Sequence, residues 1–286
     1  MCVSPITIKR DYRRTTPEVA QGYNTNTDVV PCGKCFECLA RRRDSWAFRL
    51  WHQMQVSETA HFITLTYEDE PVTTNGHGTL RKKDVQDFMK RLRKRTRNKI
   101  KYYCCGEYGS LFKRPHYHLI IFNIPEILVS DSERFALDIW QLGQVDIANA
   151  NIRTIAYTVG YVMKGLFTPE HEVDEDGVIT CEDDRVPEYA TMSKNLGISY
   201  LSDAIWDWHL NTMSSFARAQ NGTLIALPRY YRDKIFSREE KKELAVEARK
   251  IRDFDFLQWD YQLEHERKKA AIRSHEKQQK LKRLKL

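Results

Sequence analysis

From Cys35 to Val56, apolar residues recur at helix-compatible intervals, at Leu39, Trp46, Leu50 and Met54, and predict a helix. Arg41, Arg42, Arg43 and Arg49 project among or beside them. The pattern then changes. Phe62-Ile63-Thr64-Leu65-Thr66-Tyr67 is a short β-rich run, followed by a turn region rich in Asn, Gly and Thr. Residues 81–97 return to a helical period, with Val85, Phe88 and Leu92 as a narrow apolar stripe on a largely basic surface. Ile100 to Glu107 and His116 to Asn123 read as two strands, paired antiparallel through the loop 108–115. Residues 131–142 and 154–165 read as helices, and GQVDIANA between them supplies a further strand.

This alternation predicts an α+β domain over 58–168, one antiparallel sheet with helices on one face. Around it lie a polar, Cys-rich N-terminal segment and helix (1–57), a mixed extension packing on the core (169–236) and a charged helical tail (237–286). The extension opens with an acidic hairpin or loop, HEVDEDGVITCEDDR, and carries apolar anchors at Tyr200, Leu201, Trp206 and Trp208. The tail ends in the basic run ERKKAAIRSHEKQQKLKRLKL. There are no internal repeats.

Composition narrows the classes. The chain has 286 residues, 41% hydrophobic and 30% charged, as a globular protein does. No apolar run is long enough to cross a bilayer, and the N-terminus lacks the apolar core of a signal peptide. A cytosolic protein with no membrane partner is expected. The net charge of +7 and pI near 8.9 suit a polyanionic partner, nucleic acid first. Seven cysteines without an export signal are not a disulfide framework.

The sharpest local signal is Arg114-Pro115-His116-Tyr117-His118, leading into Leu119-Ile120-Ile121-Phe122. Strand alternation sends His116 and His118 to one face and Tyr117 to the other. Two imidazoles on a rigid strand suit a metal, although ordinary half-buried histidines would give the same pattern. Glu107 closes the preceding strand, so hairpin pairing brings its carboxylate close to His116. Such a three-ligand site with open positions suits Mg²⁺ or Mn²⁺ holding a phosphate, or a catalytic Zn²⁺.

The second signal is Tyr157-Thr158-Val159-Gly160-Tyr161-Val162-Met163-Lys164. Tyr157, Tyr161 and Lys164 fall on one helical stripe, while Ile155, Val159, Val162 and Leu166 form an apolar stripe nearly opposite. The aliphatic stripe is the better core candidate, which leaves the tyrosines a polar cleft. A phenol is a poor nucleophile at its ordinary pKa of about 10. A metal that polarises a phosphodiester, with a nearby cation such as Lys164, lowers the barrier for its attack.

A third constellation is Cys32-x-x-Cys35-x-x-Cys38, with Cys2 as a possible fourth ligand. It suits Zn²⁺ or another soft metal, and equally four reduced thiols; as a metal site it would staple the N-terminal segment. The basic stretch 81–101, followed by Tyr102 and Tyr103, combines cations with aromatic faces as single-strand binders do. Arg81, Lys82, Lys83, Lys90, Arg91, Arg93, Lys94 and Arg114 are its candidate DNA contacts; a merely solvated face is the alternative.

Taken together, these motifs resemble a known family. RPHYH before an apolar strand is similar to the His-hydrophobe-His motif of the HUH endonucleases, and YTVGYVMK is similar to the two-tyrosine motif of their replication initiators. FITLTY resembles that superfamily's first motif. Order, spacing and the Cys-rich N-terminus most resemble the rolling-circle initiators of gokushovirus-type microviruses, small icosahedral single-stranded DNA phages. The resemblance implies metal ligation by His116, His118 and Glu107, and nucleophilic roles for Tyr157 and Tyr161. Gly160 departs from the lysine that related coliphage initiators tend to carry, which leaves Lys164 as the motif cation.

The expectation is thus a metal-dependent single-strand endonuclease and strand transferase at a phage origin, in the host bacterial cytoplasm. Its substrate would be single-stranded or supercoiled phage DNA, with host helicase or polymerase as further partners. A plasmid relaxase or single-strand transposase shares the same chemistry. A non-catalytic zinc-containing nucleic-acid-binding protein is the reading from a different class.

Overall fold

A computed structural model describes residues 2–9, 27–109, 111–161, 172–173, 179–181, 183–220 and 222–246. Strands β1 (Ile6–Lys9) and β2 (Thr27–Val30) pair with each other and precede α1 (Phe36–Gln55) and β3 (Ala60–Thr66). After α2 (Lys82–Arg95), β4 (Lys101–Tyr108) and β5 (Pro115–Phe122) form an antiparallel hairpin. Two short helices, α3 (Glu126–Val129) and α4 (Ser132–Phe135), run on into a π-helical turn at Ala136–Trp140. Strand β6 (Val145–Asn149) then leads to α5 (Ile152–Gly160).

Beyond α5, β7 (Glu172–Val173) and β8 (Ile179–Cys181) pair as a small hairpin within the acidic stretch. Strand β9 (Tyr189–Met192) pairs with β4 at the edge of the main sheet. Next come α6 (Asp203–Thr212), the hairpin of β10 (Phe216–Arg218) with β11 (Leu224–Ala226), and α7 (Arg229–Ile235).

The main sheet has five antiparallel strands in the order β6-β3-β5-β4-β9. The α+β class and the antiparallel sheet are as expected, and the structure adds a second helical layer. On one face, Val85, Phe88, Met89 and Leu92 of α2 pack on Ile63, Leu65, Leu119 and Ile121 with Phe135 and Trp140. On the other, Leu50 of α1 and Ile155 and Val159 of α5 pack on Tyr103, Ile120 and Phe122. Strand β5 is central and buried on both faces, so it carries a near-continuous apolar run broken only where the histidines enter.

Local chemistry explains the helix starts and stops. Asn151 caps α5 in a capping box: its side chain accepts from the Thr154 N–H while the Thr154 hydroxyl accepts from the Asn151 N–H. Helix α2 ends in Arg93, Lys94 and Arg95, cations suited to the negative end of a helix dipole, before Thr96 turns extended. The helix expected over 131–142 is split, and its π turn points the Trp140 indole N–H at the Thr66 carbonyl, 2.8 Å away.

Two expectations change. Arg49 does not reach solvent with the other α1 arginines. It is buried, donates twice to the Leu196 carbonyl and stacks on Trp46 and Tyr230, because only backbone and aromatic partners repay a guanidinium there. Among the four extension anchors, Tyr200 is buried and Leu201 and Trp206 pack against its cluster, but Trp208 turns to solvent on α6. Among the described residues no helix is long and apolar enough to cross a membrane. Lys164 and the basic run at the C-terminus lie outside the described residues.

Candidate active site

Hairpin register builds the site. Glu107 pairs with His116 across β4–β5, and Cys105 pairs with His118. On the other flank, Thr64 of β3 pairs with His118 and Thr66 with His116. Period-2 alternation therefore sends the Glu107, His116 and His118 side chains to the α1/α5 face and Tyr117 to the α2 face.

The three candidate ligands come together. One Glu107 carboxylate oxygen lies 2.7 Å from His116 Nε2 and 3.2 Å from His118 Nε2. One ligand atom from each residue falls within a 4.8 Å cluster. Glu107 and His118 are buried and His116 is partly exposed, so the cluster opens toward solvent on the His116 side. The far ring nitrogens are engaged as well. His116 Nδ1 is 3.1 Å from the Arg114 carbonyl, and His118 Nδ1 is 3.1 Å from the Thr64 hydroxyl. Such partners fix ring orientation and leave both Nε2 atoms facing the carboxylate, the arrangement a metal-ligating histidine pair needs. The donor set of two imidazoles and one carboxylate fits a divalent ion with open coordination positions.

Helix α5 brings the tyrosines to the same place. The Tyr161 hydroxyl is 3.1 Å from His118 Nε2, and the two rings stack with centroids 4.9 Å apart. Tyr157 meets the His118 ring edge-on at 5.3 Å and Tyr161 at 5.0 Å. Their exposures differ sharply: Tyr157 is 53% exposed and Tyr161 6%. Burial, together with the Tyr157 hydroxyl and the Glu107 charge, pushes the Tyr161 phenol well above its ordinary range. Ile155, Thr158 and Val159 form the buried side of α5, so the aliphatic stripe anchors the helix as its spacing predicts. Gly160 faces open space.

A cleft of about 520 Å³ adjoins the cluster, lined by Thr66, Tyr67, Arg114, His116, Gly143 and Gln144 among others. Arg114 reaches along it, donating to the Tyr67 carbonyl at 2.7 Å and pairing with Glu70. The α2 cations stand elsewhere. Helix α2 covers the opposite face of the sheet from α5, Lys83 and Lys90 pair with Asp87, and Arg91 donates to the Ile139 and Trp140 carbonyls. Arg93 lies over Tyr102, and Lys82 over Tyr189. Arg81 and Lys82 are nearest the site, at the end of the sheet where the Tyr117 hydroxyl accepts from the Arg81 N–H.

Sequence reasoning passed over two residues. Thr64 bonds the far side of His118, and Phe62 stacks on the same ring at 5.6 Å. Both belong to the run FITLTY, and pairing that strand beside RPHYH would have turned its alternate positions 62, 64 and 66 toward the histidines. The four cysteines also come together, apart from this site, with their sulfurs within 4.8 Å of one another.

Residues 60–166 match a protein family described as replication-associated protein ORF2. The chain is 28% identical to the replication-associated protein VP4 of Bdellovibrio phage phiMH2K, over 81% of this chain and 80% of the relative. It is 29% identical to the replication-associated protein ORF2 of Spiroplasma virus 4 over 62% of this chain, and 26% identical to ORF4 of Chlamydia phage 1 over 71%. Those two alignments span 58% and 53% of the relatives' own lengths. No solved structure gives a significant match. Residues 60–166 belong to this replication-associated protein family, and the likeness to microvirus-type rolling-circle initiators carried by the motifs holds across most of the chain.

Proposed function

We propose that this relative of phage replication-associated proteins starts replication of phage DNA in the host bacterium, by nicking a single strand and holding its 5′ end on a tyrosine. The observation that carries the reading is the contact between sheet and helix: Tyr161 is hydrogen-bonded to His118, which is itself bonded to Glu107. A phenol, two imidazoles and a carboxylate converge beside a cleft wide enough for a phosphodiester backbone.

Glu107, His116 and His118 would hold Mg²⁺ or Mn²⁺, which when bound supplies Lewis-acid polarisation of the scissile phosphate. Thr64 and the Arg114 carbonyl keep the two imidazoles aimed, and the Arg114 side chain offers a guanidinium along the cleft for a flanking phosphate. Tyr157, half exposed, is the first nucleophile. Its phenol oxygen bonds to phosphorus, the P–O3′ bond breaks, and the leaving 3′ oxygen ends protonated. The product is a 5′-phosphotyrosyl ester with a free 3′-OH. Because the ester retains the phosphodiester energy, a later 3′-OH can displace the tyrosine and rejoin the strand. Tyr161, one helical turn further on, takes the second attack when the origin is regenerated.

Relaxases and single-strand transposases share this chemistry; relatives named as replication-associated proteins of phages favour initiation. The test is incubation of the full chain with labelled single-stranded DNA carrying the viral origin and Mn²⁺, then a denaturing gel. A labelled protein band that disappears with chelator is expected. DNA binding without cleavage, indifferent to metal, would overturn the proposal in favour of a non-catalytic binding protein.

A further inference from the structure

We propose that Cys2, Cys32, Cys35 and Cys38 bind one zinc ion, which fastens the N-terminal hairpin to the first turn of α1. Distances set the nuclearity. In a tetrahedral site with Zn–S of about 2.3 Å, sulfurs stand about 3.8 Å apart. Cys2 Sγ lies 3.5 Å from Cys32 Sγ and 3.7 Å from Cys35 Sγ, and all four sulfurs fall within 4.8 Å. A cubane iron–sulfur cluster holds its cysteines farther apart than this. A disulfide needs S–S near about 2.05 Å, and all four thiols are free.

The backbone is folded around sulfur as metal knuckles are. The Cys32 N–H donates to Cys2 Sγ and the Cys35 N–H to Cys32 Sγ, each at 3.3 Å. Gly33, between them, adopts φ +74°, a turn that a side chain would strain. Cys35 is the N-cap of α1 and Cys38 lies in its first turn, with no side-chain cap bond at that helix start. Thiolates there are favoured by the helix dipole, and N–H···S bonds orient them.

The packing supplies the need. Strands β1 and β2 form an isolated two-stranded sheet, a unit only marginally stable in water. Val3, Ile6 and Ile8 are 42–50% exposed, and among the described residues none before Trp46 joins a core cluster. Hydrophobic burial does not hold this hairpin to the protein. The cysteines do, and a soft divalent ion is what four convergent thiolates select.

The inference stands apart from the nicking reaction, so its test reads metal rather than activity. Full-length protein purified without chelator is assayed for metals by mass spectrometry. About one zinc per chain is expected, retained in His116→Ala/His118→Ala and lost in Cys32→Ser/Cys35→Ser. Because the cysteine variant could misfold, wild-type protein is also refolded with Co²⁺. Thiolate-to-cobalt charge transfer with the strong visible bands of a tetrahedral sulfur site supports the assignment. Wild-type protein that carries no zinc and gives no such spectrum, zinc that stays in the cysteine variant, or iron with inorganic sulfide would each overturn it.

Discussion

On β5, Tyr117, Leu119 and Ile121 turn toward α2, while His116, His118, Ile120 and Phe122 turn toward α1 and α5. Both faces bury aliphatic residues at the far end of the strand and aromatic or polar ones near its start, yet their polar groups end up differently. On the α2 face, the Tyr117 hydroxyl bonds the Tyr67 hydroxyl and both backbone groups of Arg81, and Tyr67 bonds Asp84. Burial pushes the Tyr117 phenol up to about 12. That network is closed and lies inside the core. On the α5 face, the imidazoles, Glu107 and the tyrosines lie at the edge of a cleft, and Tyr157 is half exposed. The lesson is that tyrosine near a buried strand is no sign of chemistry by itself; what matters is whether its hydroxyl is locked away or left where a substrate can arrive.

The largest expected effect lies on the open face. His118→Ala should reduce nicking beyond the roughly 10–100-fold loss expected from disturbing an orienting partner, and Thr64→Val should fall within that range. Single-turnover cleavage with graded Mn²⁺ separates the two, since the threonine variant should recover at high metal. On the closed face, Tyr117→Phe should cost about 1–3 kcal/mol of stability by stranding buried partners, with nicking per folded molecule unchanged. Urea melts and cleavage of the same samples test both halves; a nicking defect in this variant would mean that the faces are not independent.

A smaller effect should appear behind the site, where α1 supports α5. His52 packs among Phe48, Trp51 and Tyr200, and burial pushes its imidazole down to about 4. The unfolded chain takes up that proton near pH 6.5, so the stability tied to a neutral His52 is complete above about 6.5. It declines as pH falls from about 6.5 toward 4, by roughly 1–2 kcal/mol between pH 7 and 5. Urea melts at those two pH values should show a flatter dependence for His52→Gln than for wild type. Smallest is the effect on DNA affinity. Arg114→Gln should lower the salt slope of single-strand binding by about 1, and Lys90→Gln, on the α2 face, should leave it unchanged. An equal loss from both would mean that DNA also crosses α2.

Much of this architecture was legible in the pattern of residues, because β5 and α5 obey simple periods. RPHYH alternates by two and YTVGY repeats by four, so ligand and nucleophile candidates could be assigned to faces before any coordinates. Glu107 followed from antiparallel pairing alone. What stayed hidden depended on contacts distant in sequence. That α1 covers the tyrosine face, that Arg49 is spent on the Leu196 carbonyl 147 residues away, and that β9 extends the sheet beside β4 are choices between surfaces, not periodicities. The basic character of α2 was plain, but its side of the sheet was set by which apolar stripe found Leu119 and Ile121. Thr64 was missed because its role appears only when β3 is laid in register against β5.

The central claim is that the α5 phenols, and not those of the closed face, receive the DNA. Its most direct measurement is covalent adduct formation with labelled origin DNA and Mn²⁺, comparing wild type, Tyr157→Phe/Tyr161→Phe and Tyr67→Phe/Tyr117→Phe, each first shown to be folded and to bind DNA. The account predicts that the first double variant yields no adduct and that the second forms it as wild type does. An adduct at undiminished yield from Tyr157→Phe/Tyr161→Phe would contradict it.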